Sequence, residues 1–107
     1  MNGFQLTFYT EQSRKHHHQY IGDWLIGVIQ ALNIRGATLS TALEGIGRDR
    51  RLHSAHFFDL AEQPIEITVI VTPEECDTLM LRLKSETDLS LFYVKIPVEF
   101  GVLGQPQ

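Results

Sequence analysis

Hydrophobic and polar positions alternate at the start of the chain. Phe4, Leu6 and Phe8 fall on one side, and Gln5, Thr7 and Tyr9 on the other. A period of two predicts a half-buried strand. The polar stretch 10–19 follows, with Arg14, Lys15 and three consecutive histidines. The period then lengthens: Ile21, Trp24, Leu25, Val28, Ile29 and Leu32 lie at the spacing of one apolar helical stripe. Asn33 and Gly36 supply the stop signals. Gly22 and Gly27 each cost such a helix roughly 1 kcal/mol relative to alanine, so a closely packed neighbour is expected there.

Residues 37–43 predict a second, less apolar strand, residues 44–51 a loop, and residues 52–60 an extended arm. Ile65, Ile67, Val69 and Val71 give the clearest alternation in the chain, and Ile70 makes this strand apolar on both faces, as in a central strand. Thr72, Pro73 and Glu75 have the order of N-cap, first helical position and capping-box acid. Cys76, Leu79, Met80 and Leu83 then make the buried stripe of a short helix. Residues 89–97 predict the last strand, with a loose tail after it.

The order is β-α-β, a long loop, then β-α-β. Two such units with right-handed crossovers make an α+β ferredoxin-like sandwich: a four-stranded antiparallel sheet with both helices on one face. The 107 residues leave room for one domain, with a core at 4–97, a loop at 44–63 and a tail at 98–107. Tyr9, Ile70, Phe92 and Val94 would leave an apolar patch on the bare sheet face, so oligomerisation across it is expected.

Composition narrows the function classes. Nine basic against thirteen acidic residues give a net charge of −4, which opposes a broad phosphate-binding surface, so no nucleic-acid partner is expected. Cys76 is the only cysteine, which excludes an internal disulfide framework and multi-cysteine zinc knuckles. A free thiol fits a reducing compartment. With no secretory pattern and no stretch of ~20 apolar residues, a cytoplasmic protein without membrane insertion is expected.

Residues 36–48 run from a strand into Gly45-Ile46-Gly47-Arg48, ahead of a long loop and a central strand. This resembles the PII signalling proteins, which carry a similar Gly-Phe-Gly-Arg at the root of their effector loop. The continuation, Leu52-His53-Ser54-Ala55 and then Pro64-Ile65-Glu66, is similar to the uncharacterised PII-like family of that superfamily. The resemblance covers residues 4–97 and is sharpest at 36–65. It implies a homotrimer with effector sites in clefts between subunits, an adenine nucleotide (AMP, ADP or ATP) as effector, and a mobile loop that engages a protein target such as a transporter or enzyme. One departure stands out: where PII proteins have a second glycine-rich loop before the last strand, this chain has Lys84-Ser85-Glu86-Thr87-Asp88. A backbone-amide nest for phosphates is not expected there.

The candidate effector residues are Gly36, Ala37, Thr38, Gly45, Gly47, Arg48, Arg50, Arg51, His53 and Glu66. Gly45 and Gly47 free the backbone for close approach, and the guanidinium forks of Arg48, Arg50 and Arg51 suit phosphate oxygens. The amides and hydroxyl of residues 36–38 would meet an adenine edge, a role implied by the resemblance alone. On a strand, His53 and His56 point to opposite sides. Glu66, in its alternating frame, is expected on the open side of the sheet.

His16, His17 and His18 admit two readings, a polar loop or a metal site, since neutral imidazole ligates Zn, Cu and Ni. Three adjacent histidines do not easily face one ion, and no Asp or Cys neighbours them to complete a tetrahedron; in a trimer one histidine per subunit would meet near an axis. This metal-responsive alternative resembles the copper-tolerance trimers of the superfamily. No catalytic constellation or cofactor fingerprint is visible, so the chain is not expected to be an enzyme, with a small ferredoxin-like enzyme as the remaining alternative.

Overall fold

Strand β1 (Asn2–Glu11) is the backbone of the sheet, antiparallel to a strand on each side. The structure, a computed structural model, describes residues 1–41, 44–46, 52–54 and 63–104. After β1 come a small hairpin of β2 (Lys15–His16) and β3 (Gln19–Tyr20), helix α1 (Ile21–Ala31), strand β4 (Ala37–Thr41) and a second hairpin of β5 (Glu44–Ile46) and β6 (Leu52–Ser54). Strand β7 (Pro64–Val71), helix α2 (Pro73–Lys84) and strand β8 (Phe92–Glu99) complete the chain. The four long strands lie in the order β4-β7-β1-β8, all antiparallel, which is the ferredoxin-like arrangement.

The alternation read in the sequence sorts the two faces. Leu6 and Phe8 of β1 and Ile65, Ile67, Val69 and Val71 of β7 are buried with Ile21, Leu25 and Ile29 of α1 and Cys76 and Leu79 of α2. Cys76 and Trp24 are thus core residues, as their stripes predict.

Both helices end as their sequences indicate. Asn33 takes a left-handed conformation after the α1 C-cap Leu32, its N–H donating to the Gln30 carbonyl at 3.0 Å and that of Ile34 to the Ile29 carbonyl at 3.3 Å. That is a Schellman stop, and Ile34 joins Ile29 in the core beside it. At α2 the Glu75 N–H donates to Thr72 Oγ1 at 3.2 Å, while the Thr72 N–H donates to Glu75 Oε1 at 2.9 Å, completing the capping box with Pro73 in the first turn.

Three expectations shift. Residues 44–46 are a strand paired with 52–54 rather than a plain loop, and the expected arm beyond 54, to residue 60, lies outside the described residues. The last strand runs Phe92–Glu99 because β1 templates it over its length, from Asn2 opposite Glu99 to Tyr9 opposite Phe92. Leu89 and Leu91 pack against the core before the strand starts. Gly27 has no neighbour within 4 Å of where a Cβ would sit, so close packing does not account for it.

Candidate functional site

The effector residues read from the sequence divide into three groups. Gly36, with φ +66°, and Thr38 are exposed at the start of β4, an edge strand, with Ala37 half-buried between them. Glu66 of β7 stands opposite both Ser40 and Tyr9, half-buried on the open face as expected; Thr38 is on that face too, opposite Thr68. Gly45 and His53 are register partners in the β5–β6 pair. Gly47, Arg48, Arg50 and Arg51, together with His56, lie outside the described residues. The sheet therefore places residues 37–38 on the edge strand β4 and Glu66 on the inner strand β7 beside it, two register positions along from the Thr38–Thr68 pair.

The open face is apolar toward β8. Tyr9 and Phe92 pair across strands with ring centroids 5.8 Å apart, and Ile70, Val94 and Ile96 share the face by register. Phe92 is 53% exposed and Ile96 47%, large apolar side chains presented to solvent by the single chain. Ile96 belongs to the patch with the four residues expected from the sequence.

The histidine run has a different environment from the one its neighbours in sequence suggest. His17 and His18 are the two central residues of the β2–β3 hairpin, with φ of 52° and 63°. A two-residue hairpin loop with both φ positive is the shape that asparagine and glycine usually supply. For other residues the left-handed region costs roughly 1–2 kcal/mol each. Lys15 lies over the ring of its cross-strand partner Tyr20, 5.2 Å from its centroid, and the Ile21 N–H donates to the Arg14 carbonyl at 2.8 Å below it.

This hairpin delivers His16 and His17 to Glu86, just beyond the end of α2. His16 Nε2 is 2.9 Å from Glu86 Oε1, and His17 Nε2 bonds the same oxygen. Arg82, one helical turn before Glu86, donates from Nη1 to Oε2 at 2.7 Å. The Arg82 bond, then those of His16 and His17, hold the Glu86 carboxyl down at about 2 from an ordinary 4.5, against partial burial. His16 is only 9% exposed; its ring meets Trp24 edge-on at 4.4 Å and His17 at 4.2 Å. Arg82 also lies over the Trp24 ring, 5.9 Å from its centroid. Beside it opens a groove of about 270 Å³ lined by Gln19, Trp24, Gly27, Val28, Leu32 and Arg82.

His16, His17 and Glu86 are the one group of three potential metal ligands among the described residues, with ligand atoms all within 4.8 Å of one another. His18 is not among them. Glu86 was missed in the sequence because the carboxylate that completes the group stands 70 residues from His16. The same segment that lacks glycines for a phosphate nest supplies this acid instead.

The profile of the DUF190 family, an uncharacterised ACR, matches residues 3–95. No curated protein matches the chain. Among solved structures, a PII-like signalling protein from Thermus thermophilus superposes with a TM-score of 0.66 at 18% identity, over 91% of this chain and 87% of that one. CPII, a nitrogen regulatory PII-like protein from Thiomonas intermedia K12 bound to ADP, AMP and bicarbonate, superposes with a TM-score of 0.67 at 15% identity, over 94% of this chain and 97% of that one. At these identities the likeness is one of fold.

Proposed function

This chain belongs to the DUF190 family, and from that premise we propose that it is a PII-like regulatory protein which binds an adenine nucleotide between the subunits of a homotrimer. The observation that carries the reading is the likeness of fold, over 94% of the chain, to CPII, which holds ADP, AMP and bicarbonate. The apolar open face around Phe92 and Ile96 supports assembly, since such a patch is a natural contact between copies.

In this reading residues 36–38 and Glu66 form the fixed wall of the cleft, and Gly45, Gly47, Arg48, Arg50, Arg51 and His53 form the responsive one. Guanidinium groups take the phosphate oxygens as bidentate forks. The nucleotide favours one arrangement of the 44–63 loop, which engages or releases a protein target such as a transporter or enzyme in the cytoplasm. The energy for that switch is the difference in nucleotide affinity between the two arrangements. The chain acts as a regulator rather than an enzyme.

Thermal denaturation of untagged protein with AMP, ADP, ATP and cyclic AMP, each with and without Mg2+ and bicarbonate, tests this directly. A nucleotide at 100 times its dissociation constant stabilises by ~2.7 kcal/mol, which raises the melting temperature visibly. A selective rise that Arg48→Ala abolishes supports the reading. A flat response to every nucleotide overturns it.

A further inference from the structure

We propose that His16, His17 and Glu86 form a three-ligand site for a divalent transition-metal ion of zinc's class, with a fourth coordination position left to water. The reading is independent of the nucleotide cleft. It rests on residues at the β2–β3 hairpin and the end of α2, whereas the cleft is assigned to β4, β7 and the 44–63 loop.

Two imidazoles and one carboxylate are a donor set that zinc accepts, with the remaining position open. Both His Nε2 atoms converge on the same oxygen, Glu86 Oε1, so an ion placed among the three atoms meets two imidazole nitrogens and one carboxylate oxygen, each neutral ring carrying its proton on Nδ1. A tetrahedron with bonds of ~2.05 Å has ligand atoms roughly 3.3 Å apart. The three present atoms lie within 4.8 Å of one another, so small adjustments of the side chains reach that spacing.

The surroundings hold these ligands in place. Arg82 takes Oε2 at 2.7 Å and leaves Oε1 as a single donor. The Trp24 ring, inclined at 63° to it, packs against the buried His16 ring. Outer contacts of this kind orient metal ligands and tune their affinity. His17 reaches the cluster only because the hairpin loop adopts positive φ at two histidines, an uncommon backbone at the point where the ligands meet. Its side chain is 61% exposed and gives an ion a way in from solvent.

The test is Zn2+ titrated calorimetrically into untagged, chelator-stripped full-length chain. Trp24 is the only tryptophan and touches His16, so quenching of its emission by Cu2+ gives a second readout. The expected result is one ion per chain, bound at least tenfold more weakly by His17→Ala and by Glu86→Gln, with His18→Ala within twofold of the unaltered chain. His17 is exposed, so its replacement does not threaten the core as that of His16 would; circular dichroism checks the fold of each variant. Absence of saturable Zn2+ binding below 100 μM overturns the proposal. So does equal loss in His18→Ala and His17→Ala, which would make the run a loose chelator, or unchanged affinity in folded Glu86→Gln.

Discussion

Thr7 and Thr68 share a hydrogen bond, Oγ1 to Oγ1 at 3.1 Å, between neighbouring strands in the middle of the open sheet face. Thr7 is 6% exposed, so its hydroxyl relies on that partner more than on solvent. Thr68→Val is expected to cost about 1–2 kcal/mol by leaving a buried hydroxyl unpaired, whereas Thr7→Val with Thr68→Val should return close to the original stability. Urea denaturation of both singles and the double gives the coupling. Additive losses would mean that the two hydroxyls do not depend on each other.

The same face predicts the assembly. Ile96→Glu or Phe92→Glu places a charge on the apolar patch beside Tyr9 and Val94, and sedimentation velocity is expected to show the proposed trimer of the unaltered chain giving way to monomer, with the fold retained. An assembly that the charge leaves unchanged would put the contact between copies elsewhere.

Gly3 is required by close approach rather than by its backbone angles. A Cβ there would stand 2.0 Å from the Val71 carbonyl oxygen, a backbone atom that cannot swing away. Gly3→Ala should cost about 1–3 kcal/mol, the range for overpacked sites, and should lower the urea midpoint with little change in slope. Gly27→Ala, with open space around its Cβ, is the contrast: it should stabilise α1 by up to about 1 kcal/mol.

Glu86 predicts an acid dependence in chelator-stripped protein. Its folded pKa, about 2, is below the ordinary 4.5, so its stabilising contribution is fully present above pH 4.5 and is lost as pH falls toward 2. Glu86→Gln removes this contribution, so the stability gap between variant and parent should close across that window. A gap of constant size from pH 6 to pH 2 would sever it from this carboxyl.

Local signals account for what the sequence revealed. The alternation at 4–9 and 65–71, the stripe from Ile21 to Leu32 and the Thr72–Glu75 box all act within one or two turns of chain, and each appears where its pattern places it. The β2–β3 hairpin escaped because His17 and His18 occupy positions where asparagine and glycine would have announced a turn. Glu86 escaped because only the packing of β2 beside the end of α2 brings it to His16. The proposed effector residues were legible as a glycine- and arginine-bearing segment between strands, but that Glu66 stands opposite Ser40, on the strand that Ala37 and Thr38 begin, follows only from the β4–β7 register.

That sheet order also dictates when the molecule can finish folding. The first strand is an inner one, and its outer neighbour is the last: Asn2 pairs with Glu99, and Met1 and Phe100 exchange hydrogen bonds beyond them. During synthesis β1 emerges long before β8 exists, and one edge of its backbone stays unpaired until residues 92–99 leave the ribosome. Such distant pairing slows closure and leaves a strand open to foreign partners in the meantime. Shortening the chain before residue 92 would therefore expose the centre of the sheet, not merely trim its rim.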